Sequence, residues 1–407
     1  MLLVFTLYII ASLLSYRILW ILTSRLKKQW RYLVIGGNIL LSAFSLFSFL
    51  MVILSGDNYA TGEGIMDAMR LNLALFIVLL PRTLLSLLHY TGALIKIRKR
   101  GYIRSFTLTG VVIWVLLLSL GIGGFYLGRF NFRYENVDVS IPDLNPSLDG
   151  FRIVHISDLH LGSFHGSAKK IKQLADSINA LDADIIVNTG DFITLGHKEF
   201  GRFDTLLAPM VSRYGNFAIL GNHDIGTYLR VNDEQAVALT TRNVSRMIEA
   251  SGYTLLNRSN HIIIAAGARI AIIGAETRGR HPGIIHPDLE EALKGTIDAD
   301  LRILLTHDPN HWDIVVRDYP GIELTLSGHT HGMQMGYLGR RVKWSPSKYF
   351  YPRWYGLYTE DEMNLYVNRG LGVLGIPVRI GMPPEITILT LHRKENGQPL
   401  LTTRSNP

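Results

Sequence analysis

Residues 151–162 read FRIVHISDLHLG. Alternating Ile and Val behind an aromatic make a strand signal, and the run stops on two side chains able to bind a cation, Asp158 and His160. Four further runs have the same form. ADIIVNTG (183–190) leads into Asp191, NFAILG (216–221) into Asn222, His223 and Asp224, and RILLTH (302–307) ends on His307. IELTLSG (322–328) leads into His329 and His331 within LSGHTHGMQ (326–334). RIAIIG (269–274) is one more strand-like run, without a donor at its end. Between the runs, Ile171, Leu174, Ile178 and Leu181 recur at helical spacing, and a second amphipathic helix is predicted between Asp233 and Ala250. Alternating strands and helices predict a layered α/β domain, whose ligands collect at the carboxyl ends of the strands.

Taken singly, each donor has an ordinary reading. Asp158 and Asp191 suit turns or helix caps, Asn222 after Gly221 is a common turn pair, and His307 suits a satisfied core histidine. Their coincidence at five strand ends carries the argument. Two carboxylates, an amide oxygen and four imidazoles are the complement that two adjacent divalent ions need with positions left for water and substrate. The 407-residue chain has no cysteine. Disulfides and thiolate catalysis are therefore excluded, and a metal here would take N and O donors, as Zn, Mn and Fe do.

The net charge of +8 is unevenly placed. Residues 1–128 carry 12 Lys and Arg against 3 Asp and Glu, whereas residues 129–407 carry 29 against 30. Without a basic soluble face, no nucleic-acid partner is expected. The basic part is instead apolar, with four stretches long enough to cross hydrocarbon: Leu2–Leu22, Tyr32–Leu54, Met69–Tyr90 and Thr107–Leu127. Arg17 sits where a long side chain can snorkel, and Arg82, after Pro81, is expected to face a helix partner or water. The first connection carries Arg25, Lys27, Lys28 and Arg31, and the third Lys96, Arg98, Lys99, Arg100 and Arg104. The second has only Asp57, Glu63 and Asp67. The positive-inside rule then predicts cytoplasmic first and third loops, with the N-terminus and everything after Leu127 on the far side. Leu2–Leu22 lacks a basic stretch before it and reads as an uncleaved span. Pro142 and Pro146 mark residues 129–150 as a connector with an edge strand.

The ordered set D-x-H, G-D, G-N-H-D, H and G-H-x-H resembles the calcineurin-like metallophosphoesterases, over about residues 150–392, and within them the membrane-associated, YkuE-like branch. That branch tends to end, as here, with GLY, LYVNRGLG and PPEITIL (356–358, 365–372, 383–389). Many relatives read GHTHGGQ where Met333 stands here. The resemblance implies a metallophosphoesterase β-sandwich flanked by helices, after the four-span region. It implies one ion held by Asp158, His160 and His331, another by Asn222, His307 and His329, and Asp191 as bridge. The expected organisation is a transmembrane region 1–128, connector 129–150, catalytic domain 151–395 and tail 396–407.

Such a centre activates water for attack on a phosphoester. His223 is then the candidate to protonate the leaving alcohol, with Asp224 orienting it. Of the remaining histidines, His155 is expected in the core or just behind the ligands, and His165, in the loop after SDLHLG, reads either as an ordinary loop residue or as one facing substrate. His197, His261, His281, His286, His311 and His392 are expected at structural or surface positions. Residues 339–358, GRRVKWSPSKYFYPRWYGLY, read either as buried β structure or as a rim touching anionic headgroups. The expectation is a multi-pass plasma (inner) membrane phosphohydrolase, its domain extracytoplasmic, with membrane lipids and a phosphoester, lipid-linked or from the cell envelope, as partners. A UDP-acylated-sugar pyrophosphatase of lipid A type is the competing enzyme. A metal-binding sensor or scaffold is the competing non-enzyme.

Overall fold

The computed structural model describes residues 2–95, 102–229, 233–275, 289–314, 318–360 and 362–394. The basic residues Lys96, Arg98, Lys99 and Arg100, the histidines His281 and His286 and the expected tail lie outside them. The chain divides into two units. One comprises Met1–Tyr59, Met66–Leu127 and Gly375–Val378, the other Ala60–Ile65, Gly128–Leu374 and Arg379–Pro407.

The first unit is helical. It contains α1 (Leu2–Leu22), α2 (Lys28–Ser55), α3 (Gly62–Ala74), α4 (Leu80–Ile95) and α5 (Tyr102–Gly123). A π-helical turn, Leu75–Leu79, joins α3 to α4 without a break. Four spans result, Leu3–Arg25, Lys28–Ser55, Gly62–Leu94 and Ser105–Gly128, each long and apolar enough to cross a membrane. They match the four stretches read from sequence, but helix α2 begins early enough to take in Lys28 and Arg31, and α3 takes in Glu63 and Asp67. Buried Asp67 is paired by Arg70, at 2.6 Å.

The second unit is a sandwich of two six-stranded sheets. Its strands in chain order are β1 (Arg133–Ile141), β2 (Arg152–Ile156), β3 (Ile185–Asn188), β4 (Asn216–Ala218), β5 (Tyr253–Leu255), β6 (Ser259–Ala265) and β7 (Ala268–Gly274). They continue with β8 (Leu301–Leu305), β9 (Leu324–Ser327), β10 (Tyr337–Leu338), β11 (Lys343–Trp344), β12 (Gly356–Glu360), β13 (Met363–Val367) and β14 (Glu385–Arg393). The sheets run β1-β14-β2-β3-β4-β5 and β12-β13-β9-β8-β7-β6, with β10-β11 a separate hairpin. Strand β1, inside the segment read as a connector, forms the expected edge and pairs in parallel with β14.

The period of two along each strand sorts side chains between faces. Ile153, Ile185 and Phe217 meet Ile270, Ile272 and Ile303 between the sheets. Their neighbours Val154 and Ile186 point outward under Ile171, Leu174 and Ile178 of α6 (Ala168–Asn179) and Val244 and Ile248 of α8 (Glu234–Ala250). Between these helices comes the short α7 (Phe203–Leu207). On the other sheet Ile273, Leu304 and Leu365 are covered by Trp312 of α9 (Asn310–Ile314). Strands buried on both faces read as largely apolar runs, and the cluster of His, Asp and Asn donors follows in the turns where the strands stop.

Candidate metal centre

Strands β2, β3 and β4 are parallel neighbours in one sheet, and β8 and β9 in the other. The turns after all five meet at one edge of the sandwich. His160 Nε2 lies 3.1 Å from His331 Nε2, which is 3.3 Å from Asp158 Oδ1. Asp191 Oδ2 is 3.8 Å from His160 Nε2 and 3.1 Å from His307 Nε2, itself 3.1 Å from His329 Nδ1. Two donor groups, Asp158–His160–His331 and Asp191–His307–His329, are thus each compact enough for one cation, and Asp191 also reaches a third group with His160 and His223.

The backbone is bent to make this possible. Asp158, His160, Asp191, His329 and His331 all have left-handed φ, between 42° and 71°. Asp and His tolerate that region better than most residues, yet such a residue still costs about 1–3 kcal/mol. Hydrogen bonds between turns hold the bends: Asp158 N to Gly190 O at 2.9 Å, His160 N to Asp191 O at 3.0 Å, and His329 N to Asp158 Oδ2 at 3.0 Å. Two glycines permit the approach. A methyl group at Gly221 would strike the Asp191 carboxylate, and one at Gly328 would strike Ser157 and Asp158.

Backbone carbonyls orient three rings. His160 Nδ1 donates to Ile193 O at 3.0 Å, His307 Nδ1 to Thr189 O at 2.7 Å, and His223 Nδ1 to Thr194 O at 2.6 Å. Each Nε2 is thereby turned inward. His329 is reversed, with Nδ1 inward and Nε2 bonded to Tyr351 Oη at 2.9 Å. Asn222 Nδ2 donates to Tyr228 Oη at 2.8 Å, and Oδ1 is buried with no hydrogen bond. A buried acceptor without a donor is costly in a protein but suits a cation's coordination sphere.

Burial pushes His160 down to about 3 and His329 to about 4, so both imidazoles are neutral ligands at pH 7. Burial would raise Asp191, but His307 and His223 outweigh it and hold the carboxyl well below its usual range. Burial opposes a charge on His307, and Asp191 overrides it, pushing the imidazole up to about 10. That proton stands where a metal's positive charge would, as expected of a donor set that releases protons on binding metal. Anionic Asp191, the neutral imidazoles of His160 and His329 and the unpartnered Asn222 oxygen fit divalent ions of the Zn, Mn or Fe kind.

One expected role changes. Asp224 does not touch the His223 ring: its carboxylate accepts from the backbone nitrogens of Asp191, Gly221 and Ile193 at 2.8, 2.8 and 3.1 Å. Because the Thr194 carbonyl already holds His223 Nδ1, Asp224 is a brace for two turns. His155 is buried and bonded to Thr189 Oγ1 at 3.0 Å, whereas His165 is exposed and enters none of the donor groups.

Three site residues escaped the sequence reading. Tyr228 stacks on His223 with ring centres 4.0 Å apart, Tyr351 bonds His329, and buried Arg379 places Nη2 3.5 Å from His331 Nδ1. Only Tyr228 had a local signal, four residues beyond GNHD.

A layered sandwich whose strand-end turns set Asp158, His160 and His331 beside Asp191, His307 and His329 defines a metal-dependent phosphoesterase. The calcineurin-like phosphoesterase family model matches residues 151–333. The uncharacterized metallophosphoesterase YkuE of Bacillus subtilis is 32% identical over 250 residues, 60% of this chain and 79% of that protein. A Danio rerio transmembrane protein with metallophosphoesterase domain is 31% identical over 267 residues, 63% of this chain and 57% of that protein. A solved dimetal phosphatase from Danio rerio aligns over 55% of this chain and 88% of its own, with 14% identity and a TM-score of 0.33. The chain belongs to the calcineurin-like metallophosphoesterases and is a multi-pass membrane protein.

Proposed function

We propose that this protein is a membrane-anchored phosphohydrolase that cleaves a phospho(di)ester of a lipid or cell-envelope substrate on the extracytoplasmic side of the plasma membrane. Residues 151–395 are its catalytic domain, 129–150 the connector and 1–128 the anchor. The observation that carries the reading is the cluster of three donor groups at one edge of the sandwich, two of which, His160–Asp191–His223 and Asp191–His307–His329, share Asp191. One ion is assigned to Asp158, His160 and His331 and the other to Asn222, His307 and His329, with Asp191 common to both. Two divalent ions held by these residues would supply Lewis acidity toward a phosphoryl group and a water acidified toward neutral pH.

The chain's own groups do the rest. His223, with Nδ1 tied to Thr194 O and its ring stacked on Tyr228, offers Nε2–H to the departing alkoxide oxygen and so prevents a full charge from building there. Asp224 keeps the turns of Asp191 and Asn222 in mutual register through its three backbone bonds. The UDP-sugar alternative requires a cytoplasmic domain, opposite to the orientation that the basic loops support.

Two variants test the assignment. Asp191→Ala should lose both ions and nearly all turnover, whereas His223→Ala should keep its metal and lose about 10²–10⁴-fold in rate. Elemental analysis beside a phosphodiester assay reads both, and two ions retained in Asp191→Ala would overturn the ligand set.

A further inference from the structure

Eleven large apolar side chains stand exposed among the described residues from 128 onward, and six fall within 18 residues: Met333, Tyr337, Val342, Trp344, Tyr349 and Phe350. Three of them, Tyr337, Trp344 and Tyr349, adjoin one another. Tyr337 is opposite Trp344 in the β10–β11 hairpin, and Trp344 Nε1 donates to Tyr349 Oη at 3.4 Å. From His329 to Tyr358 there is no Asp or Glu, but there are five Lys and Arg. Arg340 and Arg341 are exposed at the hairpin turn, and exposed Lys348 lies 5.3 Å from the centre of the Tyr349 ring. None of these three forms an ion pair among the described residues.

Past Phe350 the segment changes character. Arg353 bridges Asp313 and Glu360 and covers Trp312, Trp354 is buried, and Tyr351 turns inward to His329. The 339–358 stretch is therefore two things, an exposed aromatic and basic lip ending at Phe350 and a structural half behind it.

We propose that Met333–Phe350 is an interfacial lip that docks on an anionic membrane surface. Aromatic rings and snorkelling cations share one preferred depth, the headgroup zone, and an unpaired basic cluster free of acids complements anionic lipid. The lip is also fastened to the turn carrying two metal-binding histidines: Ser345 Oγ donates to Gly332 O at 2.6 Å, and Tyr351, next to Phe350, holds His329. Docking would thus hold the candidate centre at the level of lipid phosphates. The docking goes beyond the phosphohydrolase reading and holds whichever phosphoester is cleaved.

The absence of cysteine makes an engineered thiol unique. Full-length Phe350→Cys and Ile297→Cys, each carrying an environment-sensitive fluorophore, would be reconstituted in phosphatidylcholine vesicles with and without phosphatidylglycerol, and quenched by headgroup-spin-labelled lipid. The expected result is strong quenching at position 350 with phosphatidylglycerol, little at the exposed apolar position 297, and a several-fold loss at 350 when Arg340, Arg341 and Lys348 are replaced by Ser. Equal quenching at both positions would overturn the proposal. So would indifference to phosphatidylglycerol and to the three serines, or thiol cross-linking of Phe350→Cys between two chains, which would make a second copy the occupant. The readout needs no turnover, so an inactive protein that docks would refute only the phosphohydrolase reading.

Discussion

At the scale of single residues, the site is organised by side chains with no assigned chemistry of their own. Tyr228 takes the Asn222 amide hydrogen through its hydroxyl and faces His223 with its ring, nearly parallel at 9°. The two contacts separate by substitution. Tyr228→Phe keeps the stack and removes one hydrogen bond of about 1 kcal/mol, freeing Asn222 to turn its oxygen away. The affinity for one of two metal equivalents should fall about five-fold, with saturated turnover nearly kept. Tyr228→Leu should in addition lower turnover at saturating metal, because the ring holding His223 is gone. Metal titration followed by kcat at saturation measures both, and identical behaviour of the two variants would deny the split. These contacts also show why the residue level was only partly legible: Asp and His at strand ends announce themselves locally, but Tyr351 and Arg379 reach the site across 22 and 48 residues of chain. The Asp224 expectation failed for a related reason, since sequence adjacency to His223 says nothing of which donors its carboxylate meets.

At the scale of elements, a loop and a helix each depend on one buried ionisable group. Glu199 gathers the backbone nitrogens of Thr194, Leu195 and Gly196 and so fixes the Thr194 carbonyl that holds His223. Burial pushes its carboxyl up from 4.5 to about 7, against the pull of those three donors. An acid with a raised folded pKa holds its proton more tightly in the native state, so its contribution is complete below pH 4.5 and is lost as pH rises through about 7. The loss amounts to about 3 kcal/mol. Glu199→Gln should therefore flatten the fall of melting temperature across that window, and an unchanged slope would mean the carboxyl ionises as if solvated. In the helical unit, Arg82 spends its guanidinium on Ser12 of α1 and on Asn38 and Ser42 of α2, at 2.6–2.9 Å. The expected helix partners are thus neutral dipoles, near the middle of each span. Arg82→Leu removes four such bonds, at about 0.6 kcal/mol each in a membrane, and should lower the melting temperature of the detergent-purified protein. A rise would show that the cation is kept for some purpose other than holding α1, α2 and α4 together.

For the whole molecule, the fold was legible wherever local periodicity sufficed, as in the four apolar spans and the five donor-ending strands. The pairing order of the sheets was not, because β1 meets β14 and β13 meets β9 across distances that no local pattern encodes. Composition also left the 339–358 stretch open between two readings, because Arg353 and Trp354 carry the same aromatic and basic signal as the exposed lip but are spent on Asp313, Glu360 and the core. Orientation is the molecular property on which the proposed substrate depends. The first connection is basic and short, with Lys27 exposed between α1 and α2, and four spans return the chain after Leu127 to the side opposite that connection. Single cysteines again make the test direct. A membrane-impermeant maleimide applied to intact cells should label Ile297→Cys, 77% exposed in the sandwich unit, and should label Lys27→Cys only after permeabilisation. The reverse pattern would place the dimetal domain in the cytoplasm, beside nucleotide-linked sugars, and would transfer the argument from envelope phosphoesters to the UDP-acylated-sugar pyrophosphatase.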